Sequence, residues 1–438
     1  MQVTSIESDR IPQIEGQSWA RLVEVDHSAV SFAAVLEQKS RADEAVQGSP
    51  EPGVTAPLST GGVWSAAMQG LSYLATAGVQ RVYQQAGRLV HDLLPSGRED
   101  APSPQGPVFS TVLPSSATES VRTVESTSPG MRHAMQYLPL EGYPRPVNDN
   151  GWGMHWVPTV SSAPEVVDRF VDELKAMGIK WVTFLNEGTQ VGANDYLVKK
   201  LVDAGMMPVL RVYTPGLSPI EGDLQAMVRY YRNLGVSYFQ LYNEPNLMVE
   251  TGGEFPDVDR YLDVWIPAAK EVVVAGGLPG FGALSPNGEF DDREFLRLAL
   301  EKLKERGEEW LLNRGWLSSH NYAGALPVDH PDGFLRFRQY AEILKQQLGR
   351  LIPVIGTEAG TYVTPGVDEA MQKELVTGAY RYMAQSREPY NFAYTYWIVA
   401  NKMAGGHDAE WEWQALFRHD GYVSPLVGAL KNMAERII

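Results

Sequence analysis

Two glutamates in this 438-residue chain stand where apolar runs give out. Glu244 closes "YFQLYNEPN" (238–246) and Glu358 closes "IPVIGTEAG" (352–360). A lone carboxylate at the end of a strand would as readily cap a loop or pair with a cation such as Arg211. Two that face each other can do more. With a sugar between them, one protonates the departing oxygen while the other attacks the anomeric carbon or activates water, which is the chemistry of glycosidic bond cleavage. The acid must keep its proton near neutral pH, which burial and a negative partner can achieve.

The elements that must position this pair are legible from about Arg132 onward. A strand near "GMHWVPTV" precedes a helix over 164–177, and "IKWVTFLN" (179–186) precedes one over 194–204. "MPVLRVY" (207–213) is followed by a helix over 224–234, and "YFQLYNEPN" by one over 258–274. "GFGALSPNG" (280–288) leads into "DDREFLRLALEKLKERGEEW", and "WLSSHNY" (316–322) into "FLRFRQYAEILKQQL" (334–348). "IPVIGTEAG" leads into a helix over 369–384, and "FAYTYWIVAN" (392–401) into a last one near 426–437. Near-continuous apolar strands alternating with amphipathic helices imply strands buried on both faces. "GIK", "AGMM" and "GVS" put a glycine at helix ends just before strands, as C-caps require. Eight such units predict an α/β fold, a (β/α)8 TIM barrel over 132–438.

In such a barrel the chemistry sits at the C-terminal ends of the strands. Those ends carry Trp152, His155 and Trp156 on the first strand, Asn186 and Glu187 on the second, and Arg211 and Tyr213 on the third. Asn243 and Glu244 follow on the fourth, Asn287 on the fifth, His320 and Tyr322 on the sixth, Glu358 on the seventh, and Trp397 and Asn401 on the eighth. Side chains alternate across a strand, so Val354, Gly356 and Glu358 are expected on one face, His320 and Tyr322 on another, Arg211 and Tyr213 on a third. Strands four and seven lie across the mouth from each other, and so would Glu244 and Glu358.

Asn-Glu-Pro ending the fourth strand and Glu ending the seventh resemble clan A of the retaining glycoside hydrolases, over about residues 150–438. The resemblance implies that Glu244 is the acid/base and Glu358 the nucleophile of a double displacement at β-glycosidic bonds. It implies that Asn243 bonds the hydroxyl beside the reacting carbon, that Tyr322 steadies the nucleophile with His320 beside it, and that Trp397 floors the reactive subsite. There are departures. Clan members commonly place an arginine at the end of strand two, where this chain has Asn186, leaving Arg211 on strand three as the candidate for that work. The histidine often found after strand three is absent from "LRVYTPG". Tyr213, Asn186 and Trp156 complete the candidate substrate-binding set, and Trp152, Trp411 and Trp413 are further candidates for an aromatic cleft wall.

Composition bounds the rest. A net charge of −16 argues against a nucleic-acid partner. The absence of cysteine excludes disulfides, thiolate zinc sites and cysteine nucleophiles. His155 stands alone in "GMHW" and the other histidines are scattered, so no metal and no cofactor is expected, against a metal-dependent barrel hydrolase. No run approaches the ~18 apolar residues of a membrane span. No signal peptide is visible at "MQVTSIESDR", so the expectation is cytoplasmic, or exported by a route not readable here. Residues 1–131 read as a low-complexity, partly helical region: a flexible segment (1–62), an amphipathic helix (63–94) and a linker (95–131). That helix is expected to dock on the barrel or a protein partner. The alternative to an enzyme is a non-catalytic carbohydrate-binding or scaffold protein. Against it stands the electrostatic cost of keeping two mutually repelling carboxylates together.

Overall fold

The computed structural model describes residues 136–156, 163–401 and 411–437. The proposed N-terminal segment, helix and linker lie outside the described residues. Eight strands form a closed parallel barrel: β1 (Trp152–His155), β2 (Trp181–Glu187), β3 (Met207–Tyr213), β4 (Tyr238–Leu241), β5 (Leu278–Leu284), β6 (Trp316–Tyr322), β7 (Val354–Gly360) and β8 (Asn391–Tyr396). Pairing of β8 with β1 closes the ring. The helices are α1 (Pro164–Ala176), α2 (Asp195–Asp203), α3 (Leu224–Asn233), α4 (Val258–Val274), α5 (Asp292–Glu305), α6 (Phe337–Leu348), α7 (Glu369–Gln385) and α8 (Pro425–Ile437). The TIM barrel expected from the sequence is the architecture.

Local chemistry explains the boundaries. Asp223, Asp257, Asp291 and Asp368 each accept a bond from a backbone N–H of the helix that follows, satisfying donors the first turn leaves open. Gly178 and Gly205, at φ 71° and 72°, turn the chain out of α1 and α2 into the next strand through a conformation that a Cβ would strain. Each helix lays its apolar stripe on the barrel. On α4 the stripe is Tyr261, Leu262, Trp265, Ala269 and Val272, all buried.

Strand side chains divide between two cores. Those facing out, such as Met154, Phe184, Leu241 and Leu317, pack with the helices. Those facing in at the N-terminal end form a separate aromatic cluster of Trp181, Tyr238, Trp316 and Phe392 with Val209, Leu278 and Ile355. Tyr143, just past a short 3₁₀ turn (Leu140–Gly142), plugs that end, its hydroxyl donating to the Gly315 carbonyl at 2.8 Å. The barrel is thereby sealed at one end and polar at the other.

Candidate active site

Two irregularities in the sheet aim the carboxylates. Along β6 and β7, Ser318 pairs with Ile355 and Ser319 with Gly356, but His320 pairs with Glu358, leaving Thr357 extra. Between β7 and β8, Gly356 opposes Tyr394 and Ala359 opposes Tyr396, so two residues of β7 again face one of its neighbour. This is a β-bulge. It overturns the expectation that Val354, Gly356 and Glu358 share an interior face. Val354 belongs to the helix-facing core and Ile355 to the barrel interior. Simple alternation would therefore have turned Glu358 toward the helices, and the extra residue brings it into the mouth.

A second bulge lies in β5, where Gly282 opposes Ser318 and Leu284 opposes Ser319. The extra residue, Ala283, is left-handed at φ 57°, and its carbonyl accepts the Glu244 N–H at 3.1 Å. Tyr242 and Glu244 also adopt positive φ, at 63° and 32°. Such backbone is uncommon outside glycine and concentrates at functional sites. The strand β4 ends at Leu241, so Asn243 and Glu244 project from a strained turn above it.

Around these turns a buried polar network assembles. The Arg211 guanidinium donates to Glu358 Oε1 at 2.6 Å, and the Tyr322 hydroxyl donates to Oε2 at 2.7 Å. His320 Nδ1 lies 2.8 Å from Glu244 Oε1 and 3.5 Å from Glu358 Oε2. One donor atom from each of Glu244, His320 and Glu358 can be chosen so that all lie within 4.8 Å of one another. Such a group could share a cation, but the fixed positive charge of Arg211 on Glu358 opposes one there. The two carboxylates are also unlike each other. Glu358 has two donors besides its histidine neighbour, whereas Glu244 meets His320 and, at 3.4 Å, the Asn243 amide.

The electrostatics follow from these contacts. Burial acts to raise the Glu358 carboxyl, but His320, Arg211, His155 and the Tyr322 hydroxyl outweigh it and hold it below its ordinary range. Burial acts to lower His320, and the charges of Glu358 and Glu244 overcome it, so the imidazolium persists above its usual range. Tyr322 is pushed up by burial and then by Glu358, so its hydroxyl remains a donor.

Arg211, Asn243, Glu244, His320, Tyr322 and Glu358 are thus brought together. Trp397 follows β8 and packs tilted against His155, ring centroids 4.2 Å apart, with Tyr322 and Trp411 around it. Tyr213 stands at the rim, pushed up to about 12 by burial and then by Glu187. Three sequence candidates must be corrected. Asn186 faces the helix layer: its amide donates to the carbonyls of Gly188 and Gln190, and its oxygen accepts from Asn194 and the Tyr231 hydroxyl. All its polar capacity goes into the loop after β2 and the Tyr231 hydroxyl of α3. Trp156 likewise packs outward against Phe170 of α1, and Trp152 donates to the Tyr380 carbonyl in the same outer core. Neither tryptophan can wall a cleft. Of the other pair, Trp411 is buried against Trp397, and Trp413 is exposed under the Arg418 guanidinium.

His155, noted at the end of the first strand but left out of the candidate substrate-binding set, also belongs here. Its ring faces in beside Trp397, its Nδ1 bonds the Trp156 carbonyl at 3.1 Å, and burial pushes it down to about 4. The signal was alternation: His155 lies out of phase with Trp152, Met154 and Trp156, all of which face the helices.

The chain is similar in fold to several solved structures. One is a monomeric β-xylosidase from Caulobacter crescentus CB15, at 16% identity, 66% of this chain, 69% of that one and a TM-score of 0.47. Another is a family 39 glycoside hydrolase from the gut symbiont Bacteroides cellulosilyticus WH2, at 14%, 66%, 64% and 0.48 in the same order. A third is a subgroup II GH128 endo-β-1,3-glucanase from Pseudomonas viridiflava, at 15%, 65%, 97% and 0.43. At these identities the likeness concerns the barrel alone. No protein-family model matches the chain, and no curated protein does.

Proposed function

We propose that this chain is a retaining glycoside hydrolase that cleaves β-glycosidic bonds in a polysaccharide or oligosaccharide by double displacement. The observation that carries the reading is the pair of carboxylates whose oxygens come within 4.8 Å. Inverting enzymes need roughly 6.5–9.5 Å to fit a water, and retaining ones about 5–5.5 Å. Glu358 is the nucleophile, because Arg211 and Tyr322 favour its ionised form and fix its orientation. Glu244 is the acid/base. His320, which favours the imidazolium, holds a proton in a 2.8 Å bond to its Oε1. In the first step Glu358 attacks the anomeric carbon while a proton passes from Glu244 to the departing oxygen. In the second, Glu244 takes a proton from water, which displaces Glu358. Arg211, on the third strand, does the nucleophile-holding that the clan assigns to strand two. Trp397 offers the stacking surface for the sugar and Asn243 the contact to its neighbouring hydroxyl.

The test is release of reducing ends from β-glucans, mannans, xylans and galactans by the native protein and by Glu358→Gln. We expect release from at least one glycan by the native protein and a loss of about 10⁴-fold or more in the variant. Equal release by both would remove Glu358 from the chemistry. Binding without hydrolysis by the native protein would favour a carbohydrate-binding protein instead.

A further inference from the structure

Glu250 is a buried carboxylate that the double displacement leaves unused. It sits in the loop after Asn243-Glu244-Pro245, held by backbone bonds from its own N–H to the Leu247 carbonyl and from the Leu217 N–H to its carbonyl. Asn243 Nδ2 donates to Glu250 Oε1 at 2.6 Å, the shortest bond that the amide makes. Its other N–H lies toward Glu244 Oε2, at 3.4 Å. Asn243 Oδ1 is buried with no hydrogen-bond partner among the described residues.

An asparagine amide has two nearly isosteric ends, one donating and one accepting, and a carboxylate only accepts. Reversing the amide would bring two oxygens to 2.6 Å, so the carboxylate fixes which end faces it. The amide nitrogen is thereby held between Glu250 and Glu244, and the acceptor is directed away from Glu250. A side chain serving only to brace the loop would not leave a buried oxygen unpaired, since such atoms are costly.

Resting on the glycosidase reading above, we propose that Glu250 is a positioning residue for the reaction: it locks the amide of Asn243 so that Oδ1 accepts from the sugar hydroxyl next to the reacting carbon. The contact thereby acquires a polarity. The hydroxyl donates to the enzyme, and the bond strengthens when the ring becomes cationic in the transition state and that hydroxyl becomes more acidic.

The experiment uses nitrophenyl β-glycosides of glucose, xylose, mannose and galactose and of their disaccharides, with the 2-deoxy counterpart of whichever is turned over. kcat/KM is measured for the native protein, Glu250→Gln, Asn243→Ala and the double variant. Glu250→Gln should lower kcat/KM about 10- to 100-fold on the 2-hydroxy substrate and far less on the 2-deoxy one. In the Asn243→Ala background it should add nothing. Equal loss on both substrates, or additive loss in the double variant, would overturn the proposal and leave Glu250 a structural residue. If Glu250→Gln does not fold, Glu250→Asp goes through the same cycle. Turnover that Glu358→Gln abolishes, with a failed Glu250 cycle, sinks this inference alone. No turnover of any glycoside or glycan by the native protein sinks the parent reading with it.

Discussion

The two ends of the barrel solve opposite problems with similar residues. At the N-terminal end, every polar tip of the aromatic plug has a partner. Tyr143 donates to Gly315, Trp316 to Leu278, Tyr238 to the Pro144 carbonyl at 2.6 Å and Trp181 to Asp149 at 2.9 Å. The rings there are close-packed, with Trp181 and Tyr238 at 5.5 Å and Tyr238 edge-on to Trp316 at 5.8 Å. At the C-terminal end, His155 Nε2, His320 Nε2 and Asn243 Oδ1 are buried without partners among the described residues. Two carboxylates repel there, and Tyr242, Glu244 and Ala283 hold positive φ. The sealed end is built for stability, and its packing supports the strained, charge-crowded end where the candidate site lies.

That contrast can be broken or sharpened by mutation. The largest effect is expected at the open end. Glu244→Gln should cost about 10²- to 10⁴-fold in kcat on substrates with poor leaving groups. Activated aryl glycosides, which need little protonation, should lose much less in the glycosylation step. A uniform loss across leaving groups would remove Glu244 from the acid role, and its melting temperature should stay near the native value.

The sealed end should respond the other way. Trp181→Ala deletes a fully buried ring from the plug and should destabilise the fold by about 3–5 kcal/mol. Denaturant unfolding reads this, while kcat of the folded fraction should barely change. A large fall in kcat with little loss of stability would mean that the two ends are not separable.

The smallest effect is on pH dependence, about tenfold per unit beyond each limb. In the proposed double displacement Glu358 must be ionised to attack. Its carboxyl is held down, so the acid limb of kcat/KM should fall below the ordinary value of 4.5. His320 is held up, so loss of its proton should appear only above 6.5. The stability contributions carry matching signs. That of Glu358 is present above its unfolded value and lost as pH falls through the folded one. That of His320 is present below its unfolded value and lost as pH rises through the folded one. His155, pushed down to about 4, opposes folding increasingly as pH falls from 6.5 toward that value, because only the unfolded chain takes up the proton. An acid limb above 4.5 would contradict the Arg211–Glu358 geometry.

Much of this molecule was legible in its sequence because the signals are local. Helical periodicity placed α4 at Val258–Val274 without error, and the apolar runs placed β3 and β6 as read. Strand order then set Glu244 and Glu358 at the same mouth, because eight parallel units can close in only a few ways. What the sequence could not carry was which way side chains face once a strand departs from alternation. The extra Thr357 turns Glu358 inward, and the extra Ala283 supplies the carbonyl that anchors Glu244; both depend on the register of neighbouring strands. The same limit explains Asn186 and Trp156, polar and aromatic residues at strand ends that the tertiary structure commits to the helix layer. Residue type and spacing determined which groups could meet. Packing between strands, which sums contacts far apart in the chain, decided which ones do.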